Sequence, residues 1–144
     1  MQNILVLCIG NICRSPIAEA LLRQQFPDKT IASAGLGALV GYPADRLSIE
    51  VSAEQGVDLS AHRARQLSSW MCQAADMILV MEQRHKVEVE QLHPLVRGKV
   101  FRLGELGKFD IEDPHRKPRE AFDTAYAHIA RGVADWVPRI RLLD

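Results

Sequence analysis

Residues Ile4–Leu22, ILVLCIGNICRSPIAEALL, pass from an apolar run through two thiols and a guanidinium into a helical pattern. Ile4 to Cys8 has strand length and no polar alternation, as expected of a central strand covered on both faces. From Pro16 to Phe26 the pattern is helical: Ser15 suits the N-cap, Pro16 the first helical position, and Ile17, Leu21 and Leu22 share a face. The intervening loop is Ile9, Gly10, Asn11, Ile12 and Cys13, followed by Arg14. In an open parallel sheet such a junction lies at the carboxyl edge, where helix N-termini offer unpaired N–H groups and partial positive charge to an anion.

The rest of the chain repeats this alternation. "TIASAG", Thr30 to Gly35, reads as a second strand, and the glycine-rich "GLGALVGYP" that continues from it supplies a plausible wall for a site at that edge, with Leu36, Leu39 and Tyr42 as its side chains. Asp45 to Gln55 is helical and stops at Gly56; a further helix is expected over Ala64 to Ala74, around Trp70. Asp76 to Glu82 is a third strand, Gln83 to Leu92 a charged helix closed by Pro94 and Gly98, and Lys99 to Gly104 a fourth strand. The polar loop "ELGKFDIEDPHRKP" leads to a last helix from about Arg119 to Val137. Strands separated by helices rather than hairpin turns predict an α/β fold: a four-stranded parallel sheet with helices on both faces, and one domain over residues 1–144.

Composition narrows the functional classes. Eighteen basic residues balance eighteen acidic ones, so no net field draws the chain to nucleic acid or an anionic membrane, and any anion site must be built locally. The first apolar run is too short for a signal-peptide core and no later stretch approaches a bilayer span, which predicts a soluble cytoplasmic protein. Three cysteines, an odd number without regular spacing, read as reduced thiols rather than a disulfide framework.

The loop after the first strand carries the chemistry. Gly10 and Asn11 tolerate the dihedrals that turn successive N–H groups inward, making an anion nest, and Arg14 adds a planar fork suited to two oxygens of a tetrahedral oxyanion. The dipoles that hold a phosphoryl group also favour the Cys8 thiolate, which then faces the phosphorus as a nucleophile and forms a phosphocysteine. Ser15 can reach back to hydrogen-bond the sulfur as it leaves. Arg14 and the N–H groups balance the charge on the equatorial oxygens, so this scheme needs no metal or cofactor. Two small buried residues in a tight turn would account for the thiols locally; the strand before, Gly-Asn inside and Ser-Pro after are what favour the anion site. An aryl ester also needs an acid, because its leaving phenolate has a conjugate acid of pKa about 10. Asp113, in "EDP" after the fourth strand, comes from the same sheet edge, although Asp-Pro also opens turns for purely local reasons.

With "VLCIGNICRSP", "SAG" (Ser33–Gly35), "HRARQL" (His62–Leu67) and "DP" (Asp113–Pro114) in this order and spacing, the chain resembles the low-molecular-weight protein tyrosine phosphatases over essentially its whole length. The resemblance implies Cys8 as nucleophile, Arg14 as phosphate binder, Ser15 as partner of the thiolate, Asp113 as acid and base, and a network of Asn11, Ser33 and His62 holding the phosphate loop. "SAGLGALVG" and "DPHRKPREAF" are most similar to bacterial members linked to capsule or exopolysaccharide export, which implies the phosphorylated tyrosine-rich tail of a membrane tyrosine autokinase as partner, and a monomeric enzyme. One position departs from the family: the residue after Asp-Pro is usually an aromatic wall of the substrate slot, and here it is His115.

Two rivals remain: a thiol oxidoreductase resembling arsenate reductase, and a non-catalytic phosphotyrosine-binding module. The reductase needs further cysteines for disulfide exchange, and the only distal thiol is Cys72 in "SWMCQA", which reads as a buried structural residue. Cys13 is either a small loop filler or a redox guard that forms a disulfide with Cys8. The five histidines do not fall at zinc spacing with the cysteines, so no metal site is expected. Trp70 and Trp136 read as core or groove residues, and Arg116, Lys117 and Arg119 as a solvated basic loop.

Overall fold

The computed structural model describes residues 1–144. Strands β1 (Asn3–Cys8), β2 (Thr30–Gly35), β3 (Met77–Val80) and β4 (Val100–Arg102) form one parallel sheet in the order β2-β1-β3-β4. The connecting helices are α1 (Ser15–Gln25), α2 (Arg46–Glu54), α3 (Ser69–Ala74), α4 (Gln83–Leu92) and α5 (Arg119–Leu142), with a 3₁₀ turn at Pro94–Val96.

β1 is central, and its side-chain alternation divides the core. Ile4, Val6 and Cys8 pack with Ile17, Ala18 and Leu22 of α1 and with Ile129, Val133 and Trp136 of α5. Leu5 and Leu7 face the other way, against Met71 and Cys72 of α3 and Val89 of α4. The parallel register pairs Cys8 with Gly35 and Leu7 with Val80, so the segments after β1, β2 and β3 leave the sheet at one edge. Gly35 is required there: a Cβ at that position would collide with the Ile9 carbonyl oxygen. None of the helices is long and apolar enough to cross a membrane.

Several expectations need correction. The stretch Ala64–Ala74 is helical only from Ser69. Arg65 and Leu67 instead bond Gly35 on both sides, Gly35 N–H donating to Arg65 O at 2.9 Å and Leu67 N–H to Gly35 O at 2.9 Å, which extends the sheet edge and holds this segment out of a helix. Because α3 turns Met71 and Cys72 toward the sheet, Trp70 is 62% exposed and takes the groove alternative, lining a cleft of about 290 Å³ with Ala32, Arg65 and Ala74, whereas Trp136 is buried in the core. The third and fourth strands are shorter than their apolar runs. Helix α5 continues through Pro138 to Leu142 rather than ending at Val137. An interior proline costs a helix about 3 kcal/mol. Full burial of Ile140 beyond it, about 1.5–3 kcal/mol for such a side chain, offsets most of that cost. Ser15 is not the N-cap: Arg14 occupies that position without a side-chain cap bond, and the Ser15 hydroxyl is used elsewhere.

Candidate active site

The loop between β1 and α1 is shaped by where its carbonyls go. Cys8, Ile9 and Gly10 C=O accept from the N–H groups of Leu36, Gly37 and Leu39 at 3.0, 3.0 and 3.1 Å. Asn11 C=O lies 2.6 Å from His62 Nε2, Ile12 C=O accepts from Asp45 N–H at 2.9 Å, and Cys13 C=O accepts from Ser48 Oγ at 3.0 Å. In a trans peptide the N–H points opposite to the C=O it is bonded to. Carbonyls 8–13 turned outward therefore turn the amides of residues 9–14 inward, which makes a concave set of donors.

Asn11 is the hub of this loop. It has a left-handed backbone, φ 58°, which asparagine tolerates better than most residues; Gly10 does not take that conformation. Both hydrogens of its side-chain nitrogen are used, toward Ser15 Oγ at 2.7 Å and Ser33 Oγ at 3.0 Å, and its Oδ1 accepts from Arg65 N–H at 3.0 Å. Ser33 in turn donates to Glu19. With Asn11 occupying an acceptor site on Ser15, the Ser15 hydroxyl hydrogen is free for Cys8 Sγ, 2.9 Å away. Asn11, Ser33 and His62 are thus brought together. Glu19 and Arg65 complete the network without having been singled out in the sequence.

Arg14 is almost wholly buried, and its charge is met by groups from two distant loops. Its Nη1 donates to Glu82 Oε2 at 2.6 Å and to the Ile111 carbonyl at 2.7 Å; its Nη2 lies 3.7 Å from Asp113 Oδ2. Its Nε has no protein partner. Burial works to raise the Glu82 carboxyl, but hydrogen bonds from Arg14 and Arg84 outweigh it and hold the group below the ordinary carboxylate range. His85, fully buried, places Nε2 3.3 Å from the same carboxylate. Burial, with the Arg14 charge, depresses its pKa to about 4 despite Glu82, so it is neutral at pH 7. Glu82 and His85 were not anticipated; the only available signal was a charged residue directly after an apolar strand.

A cavity of about 200 Å³ opens over the loop, lined by Cys8, Ile12, Cys13 and Arg14 and walled by Gly37, Leu39, Asp113 and His115. Asp113 stands at its mouth, 42% exposed, with Oδ1 accepting the His115 N–H at 3.0 Å. Of the other expected wall residues, Leu36 packs against the α3–α4 side of the core, and Tyr42, 58% exposed, lies outside the lining. Both are corrections: Leu36 is drawn into core packing and Tyr42 stands in solvent. A larger cleft of about 510 Å³ lies behind the loop, bordered by Glu19, Ser33, His62 and Arg65, and does not reach Cys8. Cys72 is buried on the inner face of α3, away from both cavities. Burial, reinforced by Asp45 and Asp113, pushes the Cys13 thiol well above its ordinary range.

Comparison with known proteins agrees with this arrangement. The chain is 56% identical over 143 residues to the probable low molecular weight protein-tyrosine-phosphatase EpsP of Ralstonia solanacearum, covering 99% of each chain. It is 47% identical to Wzb of Escherichia coli K12, covering 94% of this chain and 92% of Wzb. Its structure superposes with a TM-score of 0.93 on Vibrio vulnificus Wzb in complex with benzylphosphonate, at 44% identity and with 96% and 98% of the two chains covered. Residues 3–142 match the low molecular weight phosphotyrosine protein phosphatase family. The protein therefore belongs to the low molecular weight protein-tyrosine phosphatases.

Proposed function

We propose that the protein hydrolyses phosphotyrosine through a phosphocysteine on Cys8. The observation that carries this is the lining of one cavity by Cys8, by the inward amides of residues 9–14, and by a buried Arg14 whose Nε has no protein partner. That set of donors matches the equatorial oxygens of a phosphoryl group. The Cys8 thiolate attacks phosphorus and the bond to the aryl oxygen breaks, with Asp113 giving its proton to the departing phenolate. Asp113 then takes a proton from water, which attacks phosphorus; the P–S bond breaks and the sulfur leaves as a thiolate accepting the Ser15 hydrogen bond. The apolar walls Ile12 and Leu39, with His115, suit an aryl ring.

The physiological substrate in this reading is the phosphorylated tyrosine-rich tail of a membrane tyrosine autokinase serving exopolysaccharide production, acted on in the cytoplasm by a monomer; the likeness to EpsP and Wzb supports it. Cys13 also acts as a redox guard. Peroxide oxidises Cys8 to a sulfenic acid, the Cys13 thiol displaces its hydroxyl as water, and the disulfide awaits a thiol reductant. Peroxide-treated enzyme should recover with reductant and Cys13→Ser much less; equal recovery would remove this role.

Hydrolysis of para-nitrophenyl phosphate in the presence of a metal chelator tests the chemistry. No turnover favours a binding module, and arsenate-dependent thiol oxidation favours a reductase. Against the reductase stands the burial of Cys72, which leaves no accessible distal thiol for exchange. Capture of phosphotyrosine proteins from a lysate by the Cys8→Ser form tests the substrate.

A further inference from the structure

Three metal-ligating side chains from three different segments meet at the rim of the catalytic cavity. Cys13 belongs to the phosphate loop, Asp45 precedes α2, and His115 follows Asp-Pro in the loop before α5. Cys13 Sγ lies 3.8 Å from His115 Nδ1, that nitrogen lies 3.9 Å from Asp45 Oδ2, and all three ligand atoms fall within 4.8 Å of one another. Bond lengths of about 2.0–2.3 Å in a tetrahedral zinc site put neighbouring ligand atoms roughly 3.4–3.6 Å apart. To close around an ion, the Cys13–His115 and His115–Asp45 separations shorten by about 0.2–0.5 Å and the Cys13–Asp45 separation by up to about 1.3 Å.

We propose that Cys13, Asp45 and His115 bind a thiophilic divalent cation, Zn²⁺ by the character of the set, at the mouth of the cavity. Thiolate, imidazole and carboxylate together are a zinc ligand set, and three protein ligands leave one tetrahedral position for water. On binding, the Cys13 S–H proton passes to solvent and a metal–sulfur bond takes its place, with no change of oxidation state. Each ligand has the required atom available. Asp45 caps α2 through Oδ1, which accepts from Leu47 N–H at 2.9 Å, so Oδ2 is the oxygen turned to His115. The nearby guanidinium of Arg14 does not forbid a cation, because Glu82 pairs with it at 2.6 Å. An ion there stands where an aryl ring enters, so this site would restrain the phosphatase rather than assist it.

Cobalt(II) titration of the full chain carrying Cys8→Ser tests the site under anaerobic conditions. That background removes the competing thiol, and the readout requires no turnover, so it is independent of the phosphatase reading. One equivalent of Co²⁺ should produce a thiolate-to-cobalt charge-transfer band and the intense visible absorption of tetrahedral cobalt, both displaced by Zn²⁺. Adding Cys13→Ser, or Cys13→Ala if the serine form does not fold, should abolish the charge-transfer band. Adding Asp45→Asn, which retains the helix cap, or His115→Tyr should each weaken Co²⁺ binding by about ten-fold or more. Absence of the band, its persistence without Cys13, or unchanged affinity in either the Asp45 or the His115 variant would overturn the proposal.

Discussion

The Ser15 hydroxyl lies 2.9 Å from Cys8 Sγ while its oxygen accepts from Asn11 at 2.7 Å, so with Cys8 as a thiolate, which cannot donate, its one hydrogen is directed to the sulfur. A hydrogen bond to a charged group contributes about 1.5–3 kcal/mol. Ser15→Ala should therefore lower kcat by roughly 10- to 100-fold. In the proposed mechanism the thiolate is the leaving group of the second step, so the loss should appear as a burst of nitrophenol followed by a slow steady state, with a phosphoryl adduct on Cys8 visible by mass spectrometry. A slower first turnover without an adduct would place the effect on attack instead.

Asn11 combines a left-handed backbone with three side-chain hydrogen bonds. Asn11→Ala should cost about 2–4 kcal/mol, from unsatisfied buried partners and from the backbone conformation together. Asn11→Gly relieves the backbone but not the partners, and should be less destabilising than alanine by roughly 1 kcal/mol. Urea midpoints of the three proteins decide this; equal midpoints for alanine and glycine would mean the backbone conformation carries no cost.

His85 gives a pH dependence whose sign follows from its depressed pKa. The unfolded histidine takes up a proton below about 6.5, whereas the folded one does so only near 4. Between these values the unfolded state binds more protons, so stability is full above pH 6.5 and falls as the pH drops toward 4, by up to about 1.4 kcal/mol per pH unit. His85→Gln should have a flatter profile across that window, whatever its offset. Parallel curves of urea midpoint against pH would show that His85 does not titrate with unfolding.

In the proposed mechanism Asp113, at the cavity mouth, supplies the proton for the departing phenolate. Its removal in Asp113→Asn should slow phenyl phosphate by about 10²- to 10⁴-fold and aryl esters of acidic phenols much less. A Brønsted plot across leaving groups measures this. A penalty independent of leaving-group pKa would direct attention to another acid.

Legibility in the sequence tracked locality. Cys8 to Pro16 could be placed because an apolar run, Gly-Asn and Ser-Pro each have a local conformational cause, and β1, the loop and α1 follow one another without a gap. Ser15 was placed for the wrong reason as a cap and for the right reason as a partner of Cys8: a serine at a helix start can serve either use, and the nearby sulfur and Asn11 decided between them. Glu82 and His85 left no comparable trace. Their role depends on β3 lying beside β1 in parallel register, which brings the residues after Val80 to the edge where Arg14 is buried.

Sequence alone thus determined the alternation of strands and helices and the loop between β1 and α1 that carries Cys8 and Arg14, since each is written in contiguous residues whose dihedral preferences and apolar spacing act locally. Tertiary structure decided what surrounds them. The Asn11–Ser33–Glu19 chain, the Glu82 clamp on Arg14, and the meeting of Cys13 with Asp45 and His115 join residues 14 to 102 positions apart. No local preference encodes such pairs; they exist because packing on both faces of one parallel sheet delivers every loop after a strand to the same edge.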